Sequence, residues 1–372
     1  MKDPGYWGHA GGSLFDNLDI LHSATDGRYN YFDHPLIQEI GRFIYRASIV
    51  DDYFVNIGDC PARFSIYNDL VYRYGNAIDD ENMMAFAASA TPEEMRDQFH
   101  QIRYMGRKLA ALFNLSGLLS QANARPPFLR DVWLGDEDMQ MMIARDQEGS
   151  PDGLYVAAWG GHNGQSHNNN DVGNYIIFAD GKPVIIDAGS PTYTRQTFSG
   201  QRYQIWVMQS AFHNLPTING VMQDAGRRYE ARDVRYDVDD SFAQLLMDIA
   251  PSYPDQAGVN SWKRSVRLNR GRDIQITDAF ELKQPSADIV QTLLTPCRVN
   301  LENSGKVLFD AGEQTTVALQ YNPEQIHAET ETIPLEDGRL RRVWGETLYR
   351  VLLKAKSPQR QDTWNLKFSI AE

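Results

Sequence analysis

The chain has 372 residues, of which 42% are hydrophobic and 23% charged, and this composition is typical of globular proteins. The length predicts two domains, each large enough to bury its own core. The formal net charge of −13 argues against general nucleic-acid binding, which needs a basic surface.

The first third of the chain is predicted to be helical. Leu14, Leu18 and Leu21 recur at helical spacing, and further helices are predicted over 36–47 and 67–74. A long helix is predicted to begin at Thr91, which can cap it, and Pro92, which suits a first turn. The residues predicted to form its buried stripe are Phe99, Ile102, Met105, Leu109 and Leu112. We therefore expect a helical domain over residues 1–125.

Beyond Arg125-Pro126-Pro127 the apolar period changes to two, which predicts strands. Asp180-Gly181 suits a tight hairpin turn, since both positions tolerate positive φ. Strands without intervening helices predict antiparallel sheets, and hence a large β-sandwich over residues 126–372. The fold class is α+β multidomain. The predicted strands are 154–159, 175–179, 184–187, 242–249, 263–268, 273–281, 288–295, 306–310, 315–321, 348–355 and 364–370.

The two cysteines, Cys60 and Cys297, are far apart and lie in different predicted domains. They predict neither a disulfide framework nor a cysteine-based zinc site. No apolar run of about 18 residues predicts a membrane span. The N-terminus has no apolar segment typical of a signal peptide, so either the protein is cytoplasmic or the chain begins inside a longer precursor.

Polar side chains are concentrated around the predicted hairpin. If the segment before it is extended, His167, Asn169 and Asp171 project to one side. Two imidazoles and a carboxylate are a normal ligand set for a transition metal, although a loop that caps its own backbone is the alternative. The residues concerned are His162, His167, Asn169, Asp171, Asp187 and, from a later segment, His213.

Two basic groups could bind an anionic substrate in spite of the acidic net charge. For the second group, solvated strand faces are at least an equal alternative. The first consists of Arg195, Arg202, Arg227, Arg228, Arg232 and Arg235, and the second of Lys263, Arg264, Arg267, Arg270 and Arg272.

Three segments together, 166–175, 181–189 and 213–220, resemble the heparinase II/III-like family of polysaccharide lyases. The resemblance implies an α/α toroid, of which this chain would hold the C-terminal part, followed by an antiparallel β-sandwich. Gly5-Tyr6-Trp7-Gly8 resembles the family segment that carries a catalytic tyrosine. It is a looser match than the other three.

The resemblance implies roles for individual residues. His167 matches the family's catalytic histidine, and Tyr6 matches the tyrosine that acts as general base or acid. Asp187 and His213 match two metal ligands. Asn169 stands where zinc-binding members have a histidine, and its amide oxygen suits a harder cation better than zinc. The resemblance therefore leaves two alternatives, a divalent metal, Zn or Ca, as cofactor or a pocket without metal.

The implied reaction is β-elimination on a uronic-acid-containing polysaccharide such as heparin or heparan sulfate. Removal of the C5 proton requires a base and neutralisation of the adjacent carboxylate. Arg202 is predicted to hold that carboxylate or to lower the pKa of a phenol. Tyr203 and His162 are the other residues predicted to bind substrate, and structural roles for Arg202 and Tyr203 are an equal alternative.

In the family, the residue that neutralises the carboxylate lies upstream of the catalytic tyrosine. We therefore expect this chain to be the C-terminal part of a longer lyase, or a truncated relative, with weak or no lyase activity alone. A non-catalytic carbohydrate-binding or structural module is the alternative. A metal-dependent hydrolase is a third hypothesis, weakened by Asn169.

The expected partner is an acidic polysaccharide. We expect neither a nucleic-acid partner nor a membrane span. A homodimer is one assembly that the sequence leaves open. The resemblance also implies a periplasmic or secreted location.

Overall fold

The computed structural model describes residues 3–90, 92–102, 104–121, 124–301, 304–312 and 314–371. The chain forms two compact units. The first, the helical unit, consists of Asp3–Val55 and Arg63–Leu129, and the second, the sandwich unit, of Asn56–Ala62 and Arg130–Glu372. The short segment 56–62 thus belongs to the sandwich unit, although it lies within the range predicted to be helical.

The helical unit packs its helices around aromatic side chains. The Phe15 and Tyr74 rings stack at 4.7 Å, and the Trp7 ring stacks on Tyr74 at 5.8 Å. Asp80 caps one helix by accepting a hydrogen bond from the Met83 N–H. The elements are α1 (Trp7–Ala24), α2 (Pro35–Arg46), β1 (Ser48–Val50), β2 (Tyr53–Phe54), α3 (Asn68–Ala77), α4 (Glu81–Ala88), α5 (Pro92–Gln101) and α6 (Met105–Ser120).

The long helix predicted from residue 91 onward is in fact two helices, α5 and α6. Tyr104 has an extended backbone, which ends the helical pattern before α6 begins. The predicted buried stripe is also wrong for α6, where Met105, Leu109 and Leu112 are 70%, 48% and 52% exposed. A different face turns inward, because Arg107 is buried in an ion pair with Asp16. Thr91, the predicted cap, lies outside the described residues.

The sandwich unit is built from antiparallel strands with one short helix. Most strands predicted by alternation are present within a few residues of the expected bounds. The elements are β3 (Asp131–Leu134), β4 (Met141–Arg145), β5 (Leu154–Trp159), β6 (His162–Asn163), β7 (Tyr175–Ala179), β8 (Lys182–Ile185), β9 (Pro216–Ile218), β10 (Gly226–Glu230), β11 (Arg232–Val238), β12 (Phe242–Asp248), β13 (Val259–Asn269), β14 (Asp273–Ser286), β15 (Ile289–Thr295), β16 (Arg298–Asn300), β17 (Lys306–Asp310), β18 (Thr316–Gln320), β19 (Ile326–Pro334), α7 (Gly338–Trp344), β20 (Thr347–Ala355) and β21 (Gln359–Ile370).

These strands form a large sheet and three smaller ones. The eight-stranded sheet has the order β11-β12-β13-β14-β21-β18-β17-β16. A five-stranded sheet has the order β3-β4-β5-β7-β8, a four-stranded sheet the order β19-β20-β15-β9, and β10 pairs with β6. The Ile186 N–H donates to the Leu294 carbonyl, which links the ends of the five- and four-stranded sheets.

A single hydrophobic core joins the sheets. Its members include Val156 of the five-stranded sheet, Val266 and Ile276 of the eight-stranded sheet, and Leu293 of the four-stranded sheet, each fully buried. Along β12 the side chains alternate between buried and partly exposed, as expected for a strand that packs one face on a core. The prediction of packed antiparallel sheets after a helical region is confirmed. No helix among the described residues is both long and apolar enough to cross a membrane.

The hairpin of β7 and β8 positions the polar residues. Asp180 and Gly181 form its turn with φ of 48° and 72°, as predicted. The other end of the hairpin, opposite the turn, is where the chain enters β7 and leaves β8. The loop before Tyr175 and the segment after Ile185 therefore meet at one end of the five-stranded sheet.

Candidate active site in the sandwich unit

The loop between β6 and β7 is not extended, so the predicted alternation of its side chains is wrong. His167 lies in a turn with φ of 56°, a left-handed conformation that few residues other than glycine adopt. The side chains of the next three residues bond to separate partners: Asn168 donates to the Tyr203 hydroxyl, Asn169 to the Gly58 carbonyl and Asn170 to the Gln223 carbonyl. The loop is thus held from several sides.

The segment 56–62 supplies the second part of the site. Asn56 donates to the Asp187 carbonyl, which joins this segment to the chain after β8. Gly189 passes so close that a Cβ there would lie 2.9 Å from the Cys60 carbonyl oxygen, and its φ is 74°. Only glycine fits both constraints. The contact brings Asp59 next to the His167 loop.

The central contact of the site joins His167 and Asp59. Nδ1 of His167 lies 2.8 Å from Oδ2 of Asp59, and the Asp59 side chain is fully buried whereas that of His167 is 36% exposed. Because a carboxylate accepts, Nδ1 carries the hydrogen and Nε2 holds the lone pair. His167 is therefore set in the tautomer of a general base, with its orientation fixed by a buried carboxylate.

Asp59 receives two further donors. Its Oδ1 accepts a bond of 2.5 Å from Nη2 of Arg202, and its Oδ2 accepts a bond of 3.2 Å from the Tyr193 hydroxyl. That hydroxyl also lies 3.5 Å from Nδ1 of His167. The charge of Arg202 compensates the buried carboxylate, whose isolation in the interior would be costly.

Arg202 and Tyr203, predicted to bind substrate, contact the loop itself. Besides its bond to Asp59, Arg202 donates from Nε to the Asn168 carbonyl and from Nη1 to the Thr197 carbonyl. Each guanidinium nitrogen thus has a partner within the protein. These contacts hold the His167 loop in place, and a role in substrate binding stays a prediction.

His162 is buried and both of its ring nitrogens are hydrogen-bonded within the protein. Nδ1 accepts from the Gly164 N–H, so Nε2 carries the hydrogen and donates to Asp138 at 2.8 Å. This arrangement fixes the turn that follows β6. Its predicted role in substrate binding likewise stays a prediction.

Asp187 and His213, predicted as metal ligands, bond directly to each other. Oδ2 of Asp187 lies 2.7 Å from Nδ1 of His213 and also accepts from Asn174, while Oδ1 accepts from the Gly189 N–H. Burial by itself would lower the pKa of His213, but the charge and hydrogen bond of Asp187 outweigh it and hold that pKa above its ordinary value.

These residues do not fit a transition-metal ion. Among the described residues, no group of three or more His, Cys, Asp or Glu side chains could hold a metal. Within the described part of the chain, Oδ1 of Asn169 and Nε2 of His213 are buried without a hydrogen-bond partner, and each is an atom that a small polar molecule such as water could satisfy. One amide and one imidazole are a weak ligand set. The metal assignment of Asp187, His213 and Asn169 stays a prediction that the contacts do not support.

A buried network of hydrogen bonds holds the segments around the site in place. Asn214 donates to the Tyr175 and Ile186 carbonyls, and so clamps the open end of the hairpin. Arg264 donates to the Gly173 and Asn214 carbonyls and forms an ion pair of 2.6 Å with Asp278. A solvated strand face was the alternative for Arg264, but its side chain is fully buried.

Tyr6, the predicted partner of His167 in catalysis, belongs to the helical unit. It ends a short turn of 3-10 helix, Pro4–Tyr6, directly before α1. Its side chain is 41% exposed, and its ring lies 6.2 Å from that of His9. Its catalytic role stays a prediction.

Sequence reasoning missed Asp59 and Tyr193. Asp59 lies 108 residues before His167 and within a range predicted to be helical, so no local pattern connects the two. Tyr193 follows the Asp187-Ala188-Gly189 turn closely, and this proximity to a recognised segment was the available signal.

Comparisons with known proteins place the fold. Residues 154–359, more than half of the chain, match the family model described as "Heparinase II/III-like, C-terminal". No curated protein matches the sequence.

Among solved structures, a mutant of the heparan sulfate lyase HepC from Pedobacter heparinus is similar with a TM-score of 0.72 and 13% identity, over 100% of this chain and 52% of that one. A heparinase III structure is similar with a TM-score of 0.66 and 11% identity, over 100% and 54%. A Paenibacillus xanthan lyase has a TM-score of 0.52 and 10% identity, over 99% and 38%.

This chain thus spans about half the length of the heparan sulfate lyases that it resembles. At these identities the likeness shows a shared fold, and the family model carries the assignment. The chain belongs to the heparinase II/III-like family, through the C-terminal domain of that family.

Proposed function

We propose that this chain is a polysaccharide lyase, or the C-terminal portion of one, that cleaves a uronic-acid-containing polysaccharide by β-elimination. The observation that carries the proposal is the buried Asp59 bonded to the partly exposed His167, with Arg202 and Tyr193 on the same carboxylate. Similar solved structures are those of a heparan sulfate lyase, and a heparan-type polymer is therefore the first substrate to test.

In the proposed reaction, His167 acts through Nε2. It takes the C5 proton of the uronate, the released electron pair forms the C4–C5 double bond, and the C4–O glycosidic bond breaks. The departing oxygen takes a proton from a general acid, for which Tyr6 is the predicted candidate. The imidazolium formed on His167 is stabilised by the charge of Asp59, as in other histidine–carboxylate pairs. No step of this sequence requires a metal.

The proposal also assigns a fold to the helical unit. We infer that it is the C-terminal portion of an α/α toroid, because structures of heparan sulfate lyases match the entire chain, helical unit included. An exported, periplasmic or secreted, enzyme would meet such a polymer, and we propose that location on the same grounds. A homodimer is part of the same proposal.

A non-catalytic carbohydrate-binding module is the second candidate. It is favoured by the hydrogen bonds that Arg202 and His162 make within the protein, since these leave fewer groups to bind a substrate carboxylate.

The two candidates predict different results with heparan sulfate and alginate. A lyase forms unsaturated uronate products, seen by their ultraviolet absorbance, and His167→Ala abolishes them. A module binds oligouronates without product, and His167→Ala leaves that binding unchanged. His327→Ala is a matched control, since His327 is an exposed surface histidine outside the site.

A further inference from the structure

Phe198 is an exposed aromatic side chain beside the site. It is 68% exposed, and among the described residues of the sandwich unit no other aromatic side chain is as exposed. Single exposed apolar residues are common, so exposure alone does not indicate a binding site. The position of Phe198 relative to His167 is what matters here.

Tyr193 connects Phe198 to the catalytic pair. The Phe198 ring meets the Tyr193 ring edge-on at 5.2 Å, and the Tyr193 ring stacks with the His167 ring at 6.3 Å. The Tyr193 hydroxyl donates to Asp59, which fixes the middle ring of this row. Three rings therefore run outward from the catalytic histidine to the exposed Phe198.

Positive charge accompanies this row of rings. The Arg339 guanidinium lies 5.5 Å from the centre of the Tyr193 ring and donates to the Pro191 carbonyl, and Arg195 is exposed in the same segment. Asp337, which directly precedes α7, caps that helix and accepts a hydrogen bond from the Thr192 N–H.

The sequence around the row lacks acidic residues. From Ala188 to Gln223 the chain contains no Asp or Glu, although the protein as a whole has a net charge of −13. The segment therefore adds no carboxylate of its own that would repel an anion, and two carboxylates that contact it, Asp59 and Asp337, each accept hydrogen bonds from several donors. Aromatic rings and arginines together suit a sugar that has an apolar face and an anionic group.

We propose that Phe198, Tyr193, Arg195 and Arg339 form a subsite for an anionic sugar adjacent to the one that His167 acts on. The Phe198 ring packs against the C–H face of this sugar, and the arginines meet its carboxylate or sulfate. This inference rests on the proposed function for the identity of the polymer, but its test measures binding and needs no turnover.

The test is calorimetric titration of the full chain with tetrasaccharides from heparan sulfate and from alginate. Phe198→Ala is expected to weaken binding of the preferred tetrasaccharide about tenfold, the loss of one well-placed contact. Phe198→Trp is expected to restore it, and Arg195→Gln to weaken it and reduce its salt dependence. Phe113→Ala removes an aromatic that is 82% exposed in the helical unit and is the matched control.

Binding of Phe198→Ala within twofold of the unsubstituted chain overturns the subsite, and so does failure of the unsubstituted chain to bind either tetrasaccharide. If no product forms but Phe198→Ala still weakens binding, the subsite stands and the lyase proposal fails. If product forms in a His167-dependent way and Phe198→Ala binds normally, the lyase proposal stands and the subsite fails.

Discussion

Nδ1 of His167 lies 2.8 Å from Oδ2 of Asp59, a fully buried carboxylate supplied by a part of the chain 108 residues earlier. The partnership gives the histidine a fixed tautomer and a neighbour that stabilises its protonated form. The site therefore depends on a short segment, 56–62, that folds with the sandwich.

Asp59→Asn is expected to lower kcat by about 10²- to 10⁴-fold, because an amide can stabilise the wrong tautomer of His167 and cannot stabilise the imidazolium. Oligosaccharide affinity is expected to change little, since Asp59 is buried and does not face the substrate. Steady-state kinetics measure kcat, and calorimetric titration measures the oligosaccharide affinity. A kcat within twofold of the unsubstituted chain contradicts the positioning role of Asp59.

Arg202→Gln separates two roles for this arginine. If it compensates Asp59, as its contacts indicate, the substitution leaves a buried charge and costs about 3–5 kcal/mol of unfolding free energy. Chemical denaturation measures that loss. If Arg202 instead binds substrate, stability stays nearly constant and KM rises. Arg298→Gln, at an exposed position of β16 outside the site, is the control for loss of an arginine charge.

The Asp187–His213 pair predicts a pH dependence of stability. Asp187 holds the folded-state pKa of His213 above its unfolded value, so the contribution is fully present below about pH 6.5 and is lost as pH rises through the folded pKa. The stability difference between the unsubstituted chain and His213→Gln is therefore expected to shrink as pH increases above 6.5. Denaturation at a series of pH values measures it, and a difference that grows with pH contradicts the assignment.

Removal of metal is expected to have no effect on stability. The direct contact of Asp187 with His213, and the hydrogen bond from Asn169 to Gly58, leave a poor ligand set. We expect an unchanged melting temperature after treatment with a chelator and far less than one equivalent of zinc in elemental analysis. Near-stoichiometric zinc, together with a lower melting temperature after chelation, contradicts this expectation.

Much of the sandwich could be predicted because its strands alternate. Strands with one face on the core, such as β12, show the period of two directly in the sequence. β11 was missed although Val234, Tyr236 and Val238 alternate with charged residues, and this alternation was the available signal. The α6 stripe was assigned to the wrong face, because its inward side carries Arg107, whose burial depends on an ion pair with Asp16. Tertiary pairing of this kind has no local signature.

In the site, too, residues in local sequence patterns could be predicted, and residues placed by tertiary contacts could not. His167, Asp187 and His213 were found because they lie in compact motifs around one hairpin. Asp59 was missed because only the folded chain brings it to His167. Arg264 could not be placed either, since its burial follows from its position opposite Asp278 in the pairing of β13 with β14.

The most direct test is a sensitive assay of unsaturated uronate formation from heparan sulfate by the chain and by His167→Ala. The account predicts slow product formation by the unsubstituted chain, reduced at least about 100-fold in His167→Ala and unchanged in His327→Ala. Equal product formation by the chain and by His167→Ala contradicts the assignment of His167. Tight binding of the polymer without any product contradicts lyase activity of this chain and favours the binding module.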